Sequence, residues 1–296
     1  MKKNCLFCLL LFFSCHSAFA DERLDSLLNV LDKTIKEADT YVQIKENKLH
    51  ELKREARKTA PLSIERYHLN NDIYLEYKAY SSDSALHYLN ENLLLARQLN
   101  DKERELKIQL ELSYLLSSIG MYMEAADILN SIDRQTLPTS LLGHYYTCYE
   151  HVYSEAGAAQ PRYKMFASRY VKLSHVYRDS MEVTLDSSSA TYLWLRETQL
   201  REAGKYDEAM EFSDRRLAEA SFGTPQYALV AYQRFRLFES MGKKDEHLYY
   251  LVLSAISDVR SAIKEQSSLM VLAQELHSKG DLKRAYDYIN FSWEIS

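Results

Sequence analysis

The chain has 296 residues, with 37 basic and 42 acidic side chains, so its net charge is mildly negative. Such a surface argues against nucleic acid as a partner, because phosphate binding needs an excess of Lys and Arg. Only 7 Gly and 4 Pro residues occur, too few for the turns of a large β-protein. Apolar residues recur at i, i+3 and i+4 instead, and they predict an all-α protein.

The first twenty residues predict an export signal. Lys2 and Lys3 precede a short apolar run, and Ala18-Phe-Ala20 forms a small-x-small cleavage site. Cleavage there makes Asp21 the first mature residue and places the protein in the periplasm. Lipidation at Cys15 is the alternative, although bulky Phe residues just before it disfavour that processing.

Residues 21–60 predict one long N-terminal helix that ends before Pro61. Its apolar positions follow steps of four and three, as in a heptad seam. They are Leu24, Leu28, Leu31, Ile35, Ala38, Val42, Leu49, Leu52 and Ala56. The seam either packs on the chain's own first hairpin or forms a homodimer, and Lys45 within the seam disfavours the dimer.

Residues 61–296 predict a repeat domain. Three segments are nearly alike: Gly120 to Ala125, Gly204 to Ala209 and Gly280 to Ala285. In each, Gly closes one helix in the left-handed conformation, and Ala lets the next helix approach closely. Gly204, Gly242 and Gly280 are spaced 38 residues apart, which predicts an α-solenoid of stacked helical hairpins.

Six hairpins follow from the pattern, with residues 1–20 as the signal, 21–60 as the long helix and 61–296 as the repeats. The predicted helix pairs are 62–79 with 82–99, 102–119 with 122–132, 139–156 with 161–177, 184–203 with 206–220, 225–241 with 244–259, and 261–279 with 282 onward. The last repeat has no closing polar helix after it, so we expect a longer, truncated protein. Apolar surface around Ile289 and Trp293 predicts end-to-end association.

The Gly, Tyr or Leu, and Ala offsets of these hairpins resemble tetratricopeptide repeats (TPR). That family places a small residue seven positions before the Gly, where Ser113 and Ala273 fit. Glu150, Glu197 and Phe235 do not fit, so their hairpins are expected to be irregular.

Taken whole, the layout resembles a family of Bacteroidetes membrane-bound transcriptional regulators, whose central region is a domain of unknown function. The marks are the export signal and the segments Leu24 to Asp32, Tyr67 to Tyr77 and Asp83 to Leu86. The resemblance implies a periplasmic TPR sensor, followed by a membrane helix, a cytoplasmic coiled coil and a DNA-binding helix-turn-helix. This chain would cover the periplasmic part, without nucleic-acid contact, and would meet a membrane only through a missing C-terminal part or through lipidation.

In TPR arrays the first helix of each hairpin lines a concave groove. The same register here places eight residues in the groove: Tyr74, Tyr77, Tyr114, His151, Trp194, Arg201, Tyr232 and Arg236. Any single aromatic at helical spacing is more often a packing residue. As a set, they predict a surface for a protein, peptide or glycan ligand.

No HExxH, GxSxG, P-loop or Gly-rich dinucleotide turn occurs, so the sequence indicates neither an enzyme nor a cofactor. His144, Cys148 and His151 share one helix face at distances a metal could bridge, but their aromatic neighbours indicate a packed helix with a buried thiol rather than a metal site. Glu202 and Asp207 lie at a hairpin turn, where solvated carboxylates are commoner than a glycosidase pair.

The sequence therefore predicts a non-enzymatic, exported helical-repeat module that binds or senses a ligand on its concave face. A surface lipoprotein that binds glycans for an outer-membrane transporter is the alternative. That function would need lipidation at Cys15 and long loops to carry the sugar site.

Overall fold

The computed structural model describes residues 22–160, 162–264 and 267–295, and all the regular structure in these ranges is helical. The helices are α1 (22–36), α2 (Ala38–Lys58), α3 (Ile64–Tyr77), α4 (Ser82–Gln98), α5 (Lys102–Ser118), α6 (Tyr122–Ser131), a short 3-10 helix (Arg134–Thr136), α7 (Thr139–Ala158), α8 (Lys164–Thr184), α9 (Ala190–Glu202), α10 (Tyr206–Glu219), α11 (Pro225–Ser240), α12 (Lys244–Arg260), α13 (Ser267–Lys279) and α14 (Leu282–Ile295). From α3 onward they form the six predicted hairpins. The all-α, helical-repeat fold is thus confirmed.

The hairpin turns form as the Gly pattern predicts. Gly120, Gly204, Gly242 and Gly280 have φ values of +86°, +73°, +72° and +88°. In each turn the residue after the Gly donates its N–H to the carbonyl five residues earlier, as Met121 does to Leu116 at 2.9 Å. This bond satisfies a carbonyl at the helix end, and the left-handed Gly makes it possible.

The long N-terminal helix is interrupted at Glu37, between α1 and α2. Just before this point the hydroxyl of Thr34 donates to the carbonyl oxygen of Val30 at 2.8 Å. A Thr side chain that bonds back to the preceding turn competes with the backbone ladder and bends the helix. The heptad spacing continues through the interruption.

The predicted boundaries of α8, and those at the starts of α9 and α13, were wrong. Helix α8 begins at Lys164, whereas we expected its start at Pro161. Residues 178–184 extend α8, whereas we expected α9 to start at Thr184. A polar turn separates the two helices: Asp186 accepts from the Ser188 N–H at 2.8 Å, and Ser189 accepts from the Tyr192 N–H at 3.2 Å as the cap of α9.

The start of α13 was also wrong. Ser261 is the C-cap of α12, and Ala262 has a φ of +52°, so the backbone leaves the helical conformation there. Helix α13 begins only at Ser267.

The described residues form two compact units, 46–196 and 22–45 with 197–295. In the unit 46–196, Leu49 and Ala56 of α2 pack with Tyr67, Tyr74 and Leu89 of the first hairpin. This contact agrees with the first of the two alternatives for the seam. The proposed homodimer stays a prediction.

In the other unit, Leu28 and Leu31 of α1 are buried in a core with residues of α11 to α14. Polar contacts reinforce this packing: the Tyr288 hydroxyl donates to Asp32 Oδ1 at 2.7 Å, and Arg284 Nη2 donates to Asn29 Oδ1 at 2.7 Å. The N-terminal helix therefore packs on the last hairpin of the chain, which the sequence pattern did not indicate.

Two of the three hairpins that lack a small residue seven positions before the Gly have a buried Glu–Arg pair at that position. Glu150 of α7 accepts from Arg178 of α8 at 2.8 Å, and Glu197 of α9 pairs with Arg216 of α10 at 2.5 Å. By contrast, Ser113 of α5 is small enough for its hydroxyl to donate to the Ala125 carbonyl of α6 at 3.0 Å. A bulky acid at this position is accommodated by an Arg on the second helix of the same hairpin.

Candidate functional site

Five side chains from three consecutive first helices form a polar and aromatic cluster in the unit 46–196. We call it the first-helix cluster: Lys78 follows α3, Glu111 and Tyr114 belong to α5, and His144 and His151 belong to α7. Glu111 and Tyr114 share one face of α5 at i, i+3, while Ile108, Leu112 and Leu115 are buried. All five retain some exposure to solvent.

Glu111 links the charges of the cluster. Its carboxylate accepts from the Tyr74 hydroxyl at 2.8 Å, lies 3.7 Å from Lys78 Nζ and lies 3.6 Å from His144 Nε2. Burial acts to raise the pKa of Glu111, but Lys78, His144 and the Tyr74 hydroxyl outweigh it and hold the pKa below the ordinary value. The carboxylate is therefore charged at neutral pH and 21% exposed.

Burial lowers the pKa of His144, and the charges of Lys78 and Lys107 act in the same direction against the opposing effect of Glu111. His144 is thus neutral at pH 7. The cluster presents one cation, one anion and one neutral imidazole.

Tyr114 and His151 form the aromatic part of the cluster. Their rings stack with centroids 4.0 Å apart and an interplanar angle of 8°, and Lys78 Nζ lies 4.7 Å from the Tyr114 ring centroid. Burial, with the charge of Lys78, lowers the pKa of His151 to about 4. His151 Nε2 is 2.9 Å from Ser118 Oγ, whose hydroxyl donates to the Tyr114 carbonyl at 3.0 Å. Because that hydroxyl has one proton, His151 Nε2 is the donor to Ser118.

Two other predicted groove residues of this unit are core residues. Tyr74 is 1% exposed, and Tyr77 is 7% exposed, with its hydroxyl accepting from Lys53 Nζ at 2.5 Å. Both offer almost no surface to a ligand, and Tyr74 instead contacts the cluster through its hydrogen bond to Glu111. Trp194 is partly exposed, with the Arg178 guanidinium carbon 6.0 Å from its ring centroid.

The remaining predicted groove residues lie in the unit 22–45 with 197–295. Arg236 is half-exposed and pairs with Glu239 at 2.9 Å. Tyr232 packs with its ring centroid 5.4 Å from that of Phe235, and Arg201 is partly exposed. Arg201 lies close enough to the buried Glu197 for its charge to act on that carboxylate.

The most buried charges of this second unit are sealed from solvent. Arg216 donates to Glu197 at 2.5 Å and also donates to Gln233 of α11, and the side chains of Arg216 and Glu197 are 6% and 3% exposed. Burial raises the pKa of Glu197, with Arg216 opposing it. This pair is a packing feature and presents no binding surface.

His144, Cys148 and His151 do not converge. The Cys148 thiol is fully buried and donates to the Leu110 carbonyl at 3.4 Å, while the two histidines contact Glu111 and Ser118. Burial raises the pKa of the Cys148 thiol well above its ordinary value, so it is not a thiolate ligand at neutral pH. Within the described ranges, no three His, Cys, Asp or Glu side chains are placed to hold a metal ion.

The predicted groove did not include Lys78, Glu111 or His144. The spacing of their contacts contains a usable signal: Tyr74 and Glu111 are 37 residues apart, close to the repeat period. Tyr114 and His151 stack across the same separation. Polar or aromatic residues one repeat apart on first helices are therefore candidates for contact in a solenoid.

The predicted export signal, 1–20, and Cys15 lie outside the described residues. None of the described helices is both long enough and apolar enough to cross a bilayer.

The family model described as the SusR N-terminal TPR domain matches residues 35–296. No curated protein matches the chain. Helical repeats of this type are generally non-enzymatic. The match agrees with the helical hairpins, their Gly turns and their repeat spacing, and the chain belongs to the SusR N-terminal TPR domain family.

Proposed function

We propose that this chain is the exported, non-enzymatic sensor module of a SusR-type regulator, and that a protein, peptide or glycan ligand binds on the first helices of its hairpins. The observation that carries the proposal is the first-helix cluster around Glu111. Buried repeat interfaces need apolar contacts, whereas this cluster keeps two charges and a stacked aromatic pair at the solvent.

The chemistry of the cluster suits a polar ligand with an apolar side. Lys78 supplies a cation, Glu111 accepts hydrogen bonds, and the neutral His144 can donate or accept. Tyr114 and His151 present a rigid stacked wall beside these groups. Aromatic residues next to satisfied charges are typical of binding surfaces, because they give contact area at little entropic cost.

Periplasmic location is part of the proposal and rests on residues 1–20, where two Lys, an apolar run and a small-x-small site stand in the order of an export signal. The glycan-binding lipoprotein needs long loops for its sugar site. The described connections between helices are short, so no observation favours that function.

Site-specific photo-crosslinking in the native envelope tests the proposal. A photoreactive phenylalanine analogue replaces Tyr114 in one variant of the full chain. In the matched control it replaces Val183, which is 83% exposed on the second helix α8. We expect a discrete crosslinked product from position 114 and none from 183.

The same pair of positions identifies the ligand class. A protease-sensitive adduct indicates a peptide or protein, and an adduct that is removed by glycosidases indicates a glycan. Equal labelling at the two positions, or no product at position 114, would refute the placement of the site.

A further inference from the structure

Helix α14 has an apolar stripe that is separate from its packed face. The stripe consists of Leu282, Tyr286, Ile289 and Trp293, which are 60%, 67%, 39% and 77% exposed. Their spacing of four, three and four residues is that of a coiled-coil seam, which suits an opposing helix.

The opposite side of α14 already packs against the rest of its unit. Ala285, Tyr288 and Ser292 are buried, and Arg284 and Tyr288 bind the side chains of α1. At about 100° per residue, the four stripe residues cluster within about 60° of one another, on the flank roughly opposite the contacts with α1. The stripe is thus an exposed apolar face, separate from the packed face of α14.

We infer that two copies of this chain associate through this stripe, with the two α14 helices packed antiparallel about a two-fold axis. In that arrangement Leu282 faces Trp293 of the second copy, and Tyr286 faces Ile289. Each large ring then meets an aliphatic side chain, so the stripe is complementary to itself, as an isologous interface requires.

The charges beside the stripe fit the same arrangement. Lys283 and Glu294 lie at opposite ends of α14 but on the same side of the stripe, because their directions differ by only about 20° at 100° per residue. An antiparallel two-fold pair therefore brings Lys283 of each copy near Glu294 of the other. A parallel two-fold pair would put the two copies of each side chain on opposite flanks of the interface, so Lys283 would not meet Glu294.

The available area is sufficient for a weak specific dimer. Large aromatic side chains bury about 150–250 Å² each, so the exposed parts of the four residues provide roughly 500 Å² per copy. The pair would bury about 1,000 Å² in total, at the lower limit for specific interfaces. A dimer that forms at micromolar concentration is the expected result.

Analytical ultracentrifugation of the full mature chain tests the inference. We expect a concentration-dependent dimer, and Ile289→Asp should raise its dissociation constant by more than about tenfold, because it puts a carboxylate into the apolar centre of the interface. The matched control is Leu94→Asp on α4, where Leu94 is 53% exposed, and this variant should dimerise like the parent.

A charge exchange separates self-association from the binding of another partner. Lys283→Glu alone and Glu294→Lys alone should each weaken the dimer several-fold, because each places like charges opposite one another. The double variant Lys283→Glu/Glu294→Lys should restore the parent dissociation constant. Circular dichroism checks that every variant keeps its helical content.

Three results would overturn the inference. The first is a parent chain that stays monomeric at high micromolar concentration, which would assign the stripe to another occupant. The second is a dimer that Ile289→Asp leaves intact, as a dimer through the N-terminal seam would be. The third is a double charge variant as weak as its two single variants.

Discussion

Glu111 of α5 and Glu197 of α9 are both glutamates on first helices, and burial acts on both carboxylates, but their pKa values shift in opposite directions. Glu111 is 21% exposed, and its partners come from the neighbouring hairpins, so its pKa falls. Glu197 is 3% exposed, its closest partner is Arg216 of its own hairpin, and its pKa rises.

The difference separates two uses of charge in one repeat architecture. A charge that links neighbouring hairpins keeps contact with solvent, as at Glu111. A charge that bridges the two helices of one hairpin replaces the small residue that normally lets them approach, as at Glu197. Both glutamates lie on first helices, but Glu197 occupies the position seven before its Gly, whereas Glu111 stands nine before Gly120 and differs in exposure and partners.

The largest effect is expected from Glu197→Ala. Removal of the carboxylate leaves the Arg216 guanidinium buried without its counter-ion, which typically costs about 3–5 kcal/mol of unfolding free energy. Urea denaturation followed by circular dichroism measures this loss. The loss of unfolding free energy should be far larger than that caused by a substitution at Glu111.

Glu208→Ala is the matched control on the same hairpin. Glu208 pairs with Lys205 at 3.2 Å, and both side chains are more than half exposed. We expect a change below about 0.5 kcal/mol, as is usual for surface pairs. A Glu197→Ala variant within about 1 kcal/mol of the parent would show that the sealed pair is not structural.

An intermediate effect is expected at His151, through its dependence on pH. Its pKa is about 4 in the folded chain and about 6.5 when it is unperturbed. Between these values the unfolded chain binds a proton that the folded chain does not, so unfolding free energy falls as pH falls from about 6.5 to about 4. The loss should be about 1–3 kcal/mol over this window.

His151→Phe keeps a ring against Tyr114 but cannot titrate, so the stability of this variant should fall less than that of the parent between pH 6.5 and pH 4. Urea midpoints at the two pH values measure the difference. His50→Phe, at an exposed position of α2, serves as the control and should follow the parent. Equal slopes for the parent and His151→Phe would contradict the buried, neutral state of the imidazole.

The turns could be predicted from the sequence because their cause is local. A Gly such as Gly120 must adopt positive φ, and the Ala five residues later, Ala125, must be small, so both requirements are visible in a short stretch of chain. The same local argument failed for the start of α9, since the cap at Ser189 was overlooked beside the longer apolar pattern.

The candidate site could be predicted only in part. Tyr114 and His151 were named from the repeat register, and they stack. Tyr74 was named on the same basis but is buried, because one helical position rotates a side chain by about 100° and the sequence does not fix that rotation. Glu111 was missed, because its role depends on contacts 33 to 37 residues away that no local pattern reveals.

The smallest effect on stability is expected from Glu111→Gln. This variant tests whether the charge of Glu111 serves a different purpose from that of Glu197. The amide keeps an oxygen that accepts from the Tyr74 hydroxyl but loses the attraction to Lys78, so the unfolding free energy at pH 7 should fall by about 1 kcal/mol. The folded pKa of Glu111 lies below the ordinary value of 4.5. The stabilisation by the charged form is therefore present above about pH 4.5 and disappears as pH falls through the folded pKa.

The difference between the parent and Glu111→Gln should accordingly shrink when urea denaturation is repeated well below pH 4. Glu65→Gln, at an exposed position in the first turn of α3, is the control and should match the parent at both pH values.

Ligand crosslinking at position 114 adds a second measurement. If Glu111 serves binding, Glu111→Gln should reduce the crosslinked product more than it reduces stability, whereas Glu197→Ala should reduce it only as far as the chain unfolds. An unchanged product in Glu111→Gln would place Glu111 with Glu197 as a structural charge.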